Sequence, residues 1–186
     1  MTKLLTDRLI LRNWQETDYE PFAVMNADPR VMEFFPSLRS RAESDETAKR
    51  LQAHIDRHGF GFWALERRDN DRFIGFTGIV NVDFEAAFTP AVEIGWRLPV
   101  DQWGQGFASE AARCSLAVAF NDLGLEEVVS YAVAQNKRSR GVMERLGMHR
   151  DPAFDFDHPL VPQDWSMKRF AFYRIGAADY RDKKGG

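Results

Sequence analysis

Polar and apolar positions along this chain switch between a two-residue and a three-to-four-residue rhythm, which predicts strands alternating with helices. Arg8-Leu-Ile-Leu-Arg12 is a short β-rich run bounded by polar residues. Thr17 and Asp18 give an N-cap signal for a helix through about Asn26, and Asp28-Pro29 ends or redirects it. Ser44 or Asp45 is the expected cap of a second helix to about Arg57, with Gly59 just past its end. Residues 60–67 and 73–82 are expected strands joined by the polar hairpin turn Arg68-Asp-Asn-Asp71. A longer loop over 84–90 leads to a third strand at 92–98.

Further on, Ala108, Ala111, Ala112, Ser115, Leu116, Ala119, Phe120 and Leu123 recur at three- and four-residue steps. They predict a helix that presses a face of small residues against a sheet, with Gly124 as its C-terminal cap. Residues 127–134 are β-rich, 139–146 form a short amphipathic helix ended by Gly147, and 169–175 form a late strand. The tail from about 178 to 186 is expected to fray. The order β-α-α-β-β-β-α-β-α-β-β predicts one mixed α/β domain over residues 1–186.

Composition narrows the functional classes. With 186 residues the chain can bury a substantial core, and a net charge of −3 argues against a general nucleic-acid binder. No apolar run is long enough to cross a bilayer, and the first residues lack an apolar secretory core, so no membrane partner is expected. The single cysteine, Cys114, excludes an internal disulfide framework and points to the cytoplasm. Homodimerisation is left open.

The chemistry concentrates in Trp103-Gly-Gln-Gly-Phe-Ala-Ser-Glu-Ala111, a glycine turn between an expected strand and an expected helix. Amides at a helix start lack intrahelical partners and carry the positive end of the helix dipole, which suits a phosphate. Gly104 and Gly106 let the main chain approach a ligand closely. A Walker A loop fails here, because Phe107-Ala108 follows Gly106 where Lys-Ser or Lys-Thr is required. A dinucleotide fingerprint is weak, because the turn lies past mid-chain and Ser109 takes the place of the third glycine. Lys137, Arg138 and Arg140 are either a solvated helix start or counter-charges for phosphates.

Taken in order, several phrases carry a family resemblance. These are Leu5-Thr-Asp-Arg-Leu-Ile-Leu-Arg12, Asp28-Pro-Arg-Val-Met32, the glycine turn, Asn136-Lys-Arg-Ser139 and Met143-Glu-Arg-Leu-Gly-Met148. Together they resemble the GNAT family of acyl-CoA-dependent N-acetyltransferases, and in particular its RimJ/RimL-like branch. The resemblance implies a central, mostly antiparallel twisted sheet of six to seven strands flanked by about four helices. It also implies acetyl-CoA as co-substrate, no metal, and an amine acceptor that is a protein N-terminus or a small molecule. Two positions depart from the wider family. Trp103 stands where Gln or Arg is usual, and Met143 stands where many members carry a Tyr that protonates the leaving thiolate.

By this resemblance Trp103, Gly104, Gln105, Gly106, Phe107, Ala108 and Ser109 hold the cofactor diphosphate. Trp96, Arg97 and Leu98 offer a strand edge to the pantetheine arm, and Asn136 binds the arm from the other side. Glu93 is the candidate base, set against a surface or salt-bridged strand residue. Glu110 is explained by dipole and capping effects. Ser139 is the expected donor to the leaving sulfur, set against a helix cap, and Tyr173 is a second donor or a packed aromatic. His54, His58, His149 and His158 are expected to be structural or exposed, and Cys114 a small core residue. Phe34-Phe35-Pro36 and the loop from Phe84 to Phe88 line an acceptor groove or pack ordinarily, and Asp155-Phe-Asp-His-Pro159 attracts a cationic acceptor or forms a solvated loop. The expected activity is acetyl transfer to a primary amine by direct attack in a ternary complex. The alternative is a non-catalytic acyl-CoA sensor.

Overall fold

The computed structural model describes residues 3–182, and in them the chain forms nine strands and five α-helices. It divides into two compact units. One comprises the residues up to Val80 with Gly95–Ser115, the other Asn81–Ile94 with the chain from Leu116 on.

In the first unit, β1 (Lys3–Leu5), β2 (Leu9–Arg12), β3 (Phe62–Arg67) and β4 (Phe73–Asn81) form an antiparallel meander. Leu9, Leu11, Trp63, Leu65 and Ile74 are wholly buried, each contributing about 2–3 kcal/mol of apolar burial. Trp14 and Phe22 meet edge to face at 4.9 Å over Phe73 and Phe76. Two glycines permit close strand contact, since a Cβ at Gly78 would fall 1.9 Å from the Gly61 carbonyl oxygen and one at Gly75 2.1 Å from that of Arg97.

Helix α1 (Tyr19–Ala27) starts at Asp18, but Asp18 does not cap it. Its carboxylate instead takes two hydrogen bonds from Arg12, at 2.7 and 2.8 Å, and one from the Gln15 amide. A buried guanidinium outcompetes a helix amide for the same oxygens. Helix α2 (Arg41–His58) starts earlier than expected, because Ser40 and Glu43 form a reciprocal capping box. Ser44 is consequently a fully buried helix residue, and Gly59 closes the helix in the left-handed conformation.

In the second unit, β6 (Glu127–Val133) pairs antiparallel with β9 (Arg169–Gly176) over seven residues. The short strands β7 (His149–Arg150) and β8 (Phe156–Asp157) also pair with β9. Strand β5 (Val92–Arg97) pairs in parallel with β6 at Glu93 and Val129. Helix α3 (Phe107–Ala117) gives way to a π-helical turn, Val118–Asp122, so Leu123 leaves the expected apolar face and is 39% exposed. Helix α4 (Lys137–Leu146) ends at left-handed Gly147, and α5 (Ala177–Asp182) occupies the start of the stretch expected to fray. Residues 183–186 lie outside the described residues.

Candidate functional site

The glycine turn belongs to the first unit. Gly104 and Gly106 have φ of +73° and +83°, a region that disfavours any side chain, and both are exposed. The turn ends where the Glu110 amide donates to the Gly106 carbonyl at 3.0 Å, closing the first turn of α3. The amides of Gly104, Gln105, Gly106, Phe107 and Ala108 donate to no acceptor among the described residues. A run of free donors backed by an eleven-residue helix has the electrostatics that suit an anion.

Surrounding contacts hold the turn in shape. Trp103 Nε1 donates to the Leu98 carbonyl at 2.8 Å, and Gln105 Nε2 donates to the Asp101 carbonyl at 2.8 Å. Trp103 is therefore a brace between strand end and turn, and Leu98, itself buried, has its carbonyl engaged by that indole. Arg8 donates to the Gln105 carbonyl and to Glu110, and its guanidinium lies 4.5 Å over Phe107. Glu110 also accepts from the Thr6 hydroxyl and the Arg8 amide. Desolvation pushes its carboxyl up, but these donors outweigh it and hold it below the usual range. Glu110 is thus the tie between the N-terminal strands and α3. A cavity of about 320 Å³ lies beside it, lined by Asp7, Arg8, Arg67, Arg68, Asp69 and Phe107. Each of its arginines already has a protein partner.

On β5, Gly95 accepts from the Thr77 hydroxyl through its carbonyl, and Trp96 is half-buried. The Arg97 side chain donates from Nη1 to Asn26 Oδ1 at 2.8 Å and stacks on Phe35 at 4.1 Å. Burial, then the charge of Arg39, pulls its guanidinium down to about 10.

Glu93, Asn136 and Ser139 belong to the second unit. Glu93 is only partly exposed and has no hydrogen-bond or ion-pair partner among the described residues. Desolvation first, then the negative charge of Asp83, pushes its carboxyl up to about 8. The salt-bridged alternative is therefore set aside. Just beyond it, the buried Ser130 hydroxyl donates to the Ile94 carbonyl at 2.9 Å, a side chain standing in for a ladder bond.

Asn136, not Ser139, caps α4, its Oδ1 accepting the Ser139 amide at 3.0 Å. The Ser139 hydroxyl and the Asn136 side-chain amide have no partner among the described residues. Asn136 and Ser139 are thus brought together by one hydrogen bond, while no such bond joins either to Glu93. Tyr173 is buried, with its hydroxyl accepting from Arg140 Nε at 3.0 Å and donating to Glu144 at 3.1 Å, so it is a packed and committed aromatic. Arg140 is likewise held inside, whereas Lys137 is exposed. Met143 is core.

Half-buried rings of Phe84, Phe88, Tyr131, Phe156, His158 and Phe170 form a continuous cluster, with centroids 4.7–6.2 Å apart. Burial lowers the His158 imidazole, and Asp83 partly opposes it. Sequence reasoning missed Asp83, whose influence on both Glu93 and His158 leaves no signal in a single chain. The acidic stretch at 155–159 is internally paired, Asp155 with Arg150 and Asp157 with Lys168 and Arg169. Among the described residues no cluster of three His, Cys, Asp or Glu side chains could hold a metal, and no helix is long and apolar enough to cross a membrane.

Comparisons with known proteins bear on the family and the fold. A family model described as an acetyltransferase (GNAT) domain matches residues 8–149. The Bacillus subtilis protein YkkB is 32% identical over 149 residues, covering 80% of this chain and 86% of its own. The FsC-acetyl coenzyme A-N(2)-transacetylase of Aspergillus fumigatus is 40% identical over 148 residues, covering 73% of this chain and 60% of its own. An acetyltransferase crystal structure from Agrobacterium tumefaciens superposes with a TM-score of 0.76 at 27% identity, covering 94% of each chain.

Proposed function

The chain belongs to the GNAT acetyltransferase family, and on that premise we propose that it moves an acetyl group from acetyl-CoA to a primary amine by direct attack in a ternary complex. The acceptor is a protein N-terminus, as in the RimJ/RimL-like branch, or a small-molecule amine. We place the activity in the cytoplasm.

The observation that carries the proposal is the row of unpaired amides from Gly104 to Ala108 at the start of α3. Those donors receive the cofactor diphosphate. The β5 main chain at Trp96 and Arg97 pairs with the pantetheine amides, and the free Asn136 side-chain amide adds a donor to the arm.

Glu93 serves as the base. A carboxyl near 8 is about one-tenth ionised at pH 7, and an α-amine of pKa about 8 is about one-tenth neutral. Carboxylate and ammonium are closely matched, so a proton passes between them, directly or through one water, at little cost. The neutral amine then attacks the thioester carbonyl to form the C–N bond, the C–S bond breaks, and the proton the nitrogen gives up passes to the departing thiolate. With Met143 buried where a tyrosine acid would stand, the free Ser139 hydroxyl donates to the departing sulfur. A thiol pKa of about 8.5 makes that modest assistance sufficient.

Gly106→Trp tests the proposal. A side chain at φ +83° strains the turn by about 1–2 kcal/mol and covers the free amides. Coenzyme A binding should be lost while the thermal transition remains cooperative. Unchanged affinity in the folded variant would reject the assignment.

A further inference from the structure

Among the described residues Arg97 is a cation without a counter-charge. Its Nε is buried with no hydrogen-bond partner, and its one protein hydrogen bond runs from Nη1 to the neutral oxygen of Asn26. No carboxylate pairs with it among the described residues, and the charge that acts on it is that of a second cation, Arg39. Stranding a guanidinium this way costs several kcal/mol, and folded proteins ordinarily supply an acid. Here the surroundings hold the group in place instead. Phe35 stacks on one side at 4.1 Å and Phe76 lies 5.5 Å away. Asn26 is fixed in turn by its bond to buried Ser44, at 3.2 Å.

The group is nevertheless reachable. Arg97 retains partial exposure, and the irregular segment between α1 and α2 that carries Phe35 and Leu38 leaves those side chains 38% and 49% exposed. Arg39, on the same segment, is 46% exposed, and its amide donates to the Asn26 carbonyl at 3.1 Å. A guanidinium whose Nη2 makes no hydrogen bond among the described residues, an aromatic plate and a second arginine, itself paired with Glu43, make a receptor for an anion.

We propose that Arg97, aided by Arg39, receives a carboxylate carried by the acceptor, so that the substrate is an amine that is also a carboxylic acid. The proposal rests on the acetyltransferase reading and names the acceptor class for it.

The test compares amino acids with the matching amines that lack the carboxyl group, at equal concentrations of neutral amine, by thiol release from acetyl-CoA. The acids should be preferred by about 30-fold in kcat/KM, mainly through KM, the size of one charge-assisted hydrogen bond. In Arg97→Met the two members of each pair should fall within about threefold of each other. A parent preference below that, or one that survives Arg97→Met, overturns the inference and leaves the transferase intact. Equal weakening of coenzyme A binding by Arg97→Met would also overturn it, by assigning the arginine to a cofactor phosphate. Should Arg97→Met fail to fold, exposed Arg39→Met must still reduce the preference. If every amine is inert, N-acetyl amino acids must raise the melting temperature of the parent and not of the Arg97 variant. Failure of that shift sinks the carboxylate site, whereas failure to bind coenzyme A sinks the transferase reading.

Discussion

Replacing Glu93 with Gln removes one titrating proton and keeps the volume of the side chain. In the parent, burial and Asp83 raise this carboxyl from an ordinary 4.5 to about 8. The folded state therefore holds the proton more tightly than the unfolded chain. The stability linked to it is fully present below about pH 4.5 and is lost as pH rises through about 8. That interval corresponds to about 5 kcal/mol, and partial solvent access lowers what an assay reads to about 2–4 kcal/mol. Denaturant titrations between pH 5 and 9 should show the parent losing this amount and Glu93→Gln staying level. Rates should follow the same group. With an acceptor whose amine is already neutral near pH 6, parent kcat/KM should climb to a plateau above about pH 8. Glu93→Gln should be flat over that range and about 100- to 1,000-fold slower. A parent profile that bends between pH 4 and 5, or a variant that repeats the parent's alkaline loss of stability, would refute the assignment.

Ser139→Ala should lower kcat about tenfold with the KM for acetyl-CoA unchanged, checked by steady-state kinetics, since one hydrogen bond to a developing thiolate is lost. Asn136→Ala should cost about 1 kcal/mol by uncapping α4, a fall of a few degrees in Tm, and should weaken acetyl-CoA binding separately. Arg12→Ala should destabilise by about 3–5 kcal/mol in denaturant titrations, because it strands Asp18 and Glu66 at their 2.7 and 2.6 Å contacts, without moving the pH optimum.

Local physics made much of the fold readable. Gly59 and Gly147 end helices because each takes the left-handed φ that a helix stop requires, and the 68–71 turn and small-residue face of α3 follow from spacing alone. Of strands β7 and β8 the expected order holds only one, without bounds, because two-residue strands carry no period and exist only where β9 offers an edge. Competition misplaced the caps. Asp18 is a good cap by type, yet Arg12, distant from the helix axis in any local view, claims its oxygens.

The chain by itself determined the glycine turn, the helix behind it and the order of the longer elements, because backbone freedom, capping and periodicity act over a few residues. Only tertiary structure decided the chemistry of individual side chains. Burial beside Asp83 makes Glu93 a weak acid, the absence of any paired carboxylate among the described residues makes Arg97 a stranded cation, and the cap at Asn136 leaves the Ser139 hydroxyl without a partner among them. Such properties depend on which groups long-range packing brings near and on how much water it excludes, and neither quantity is written in local sequence.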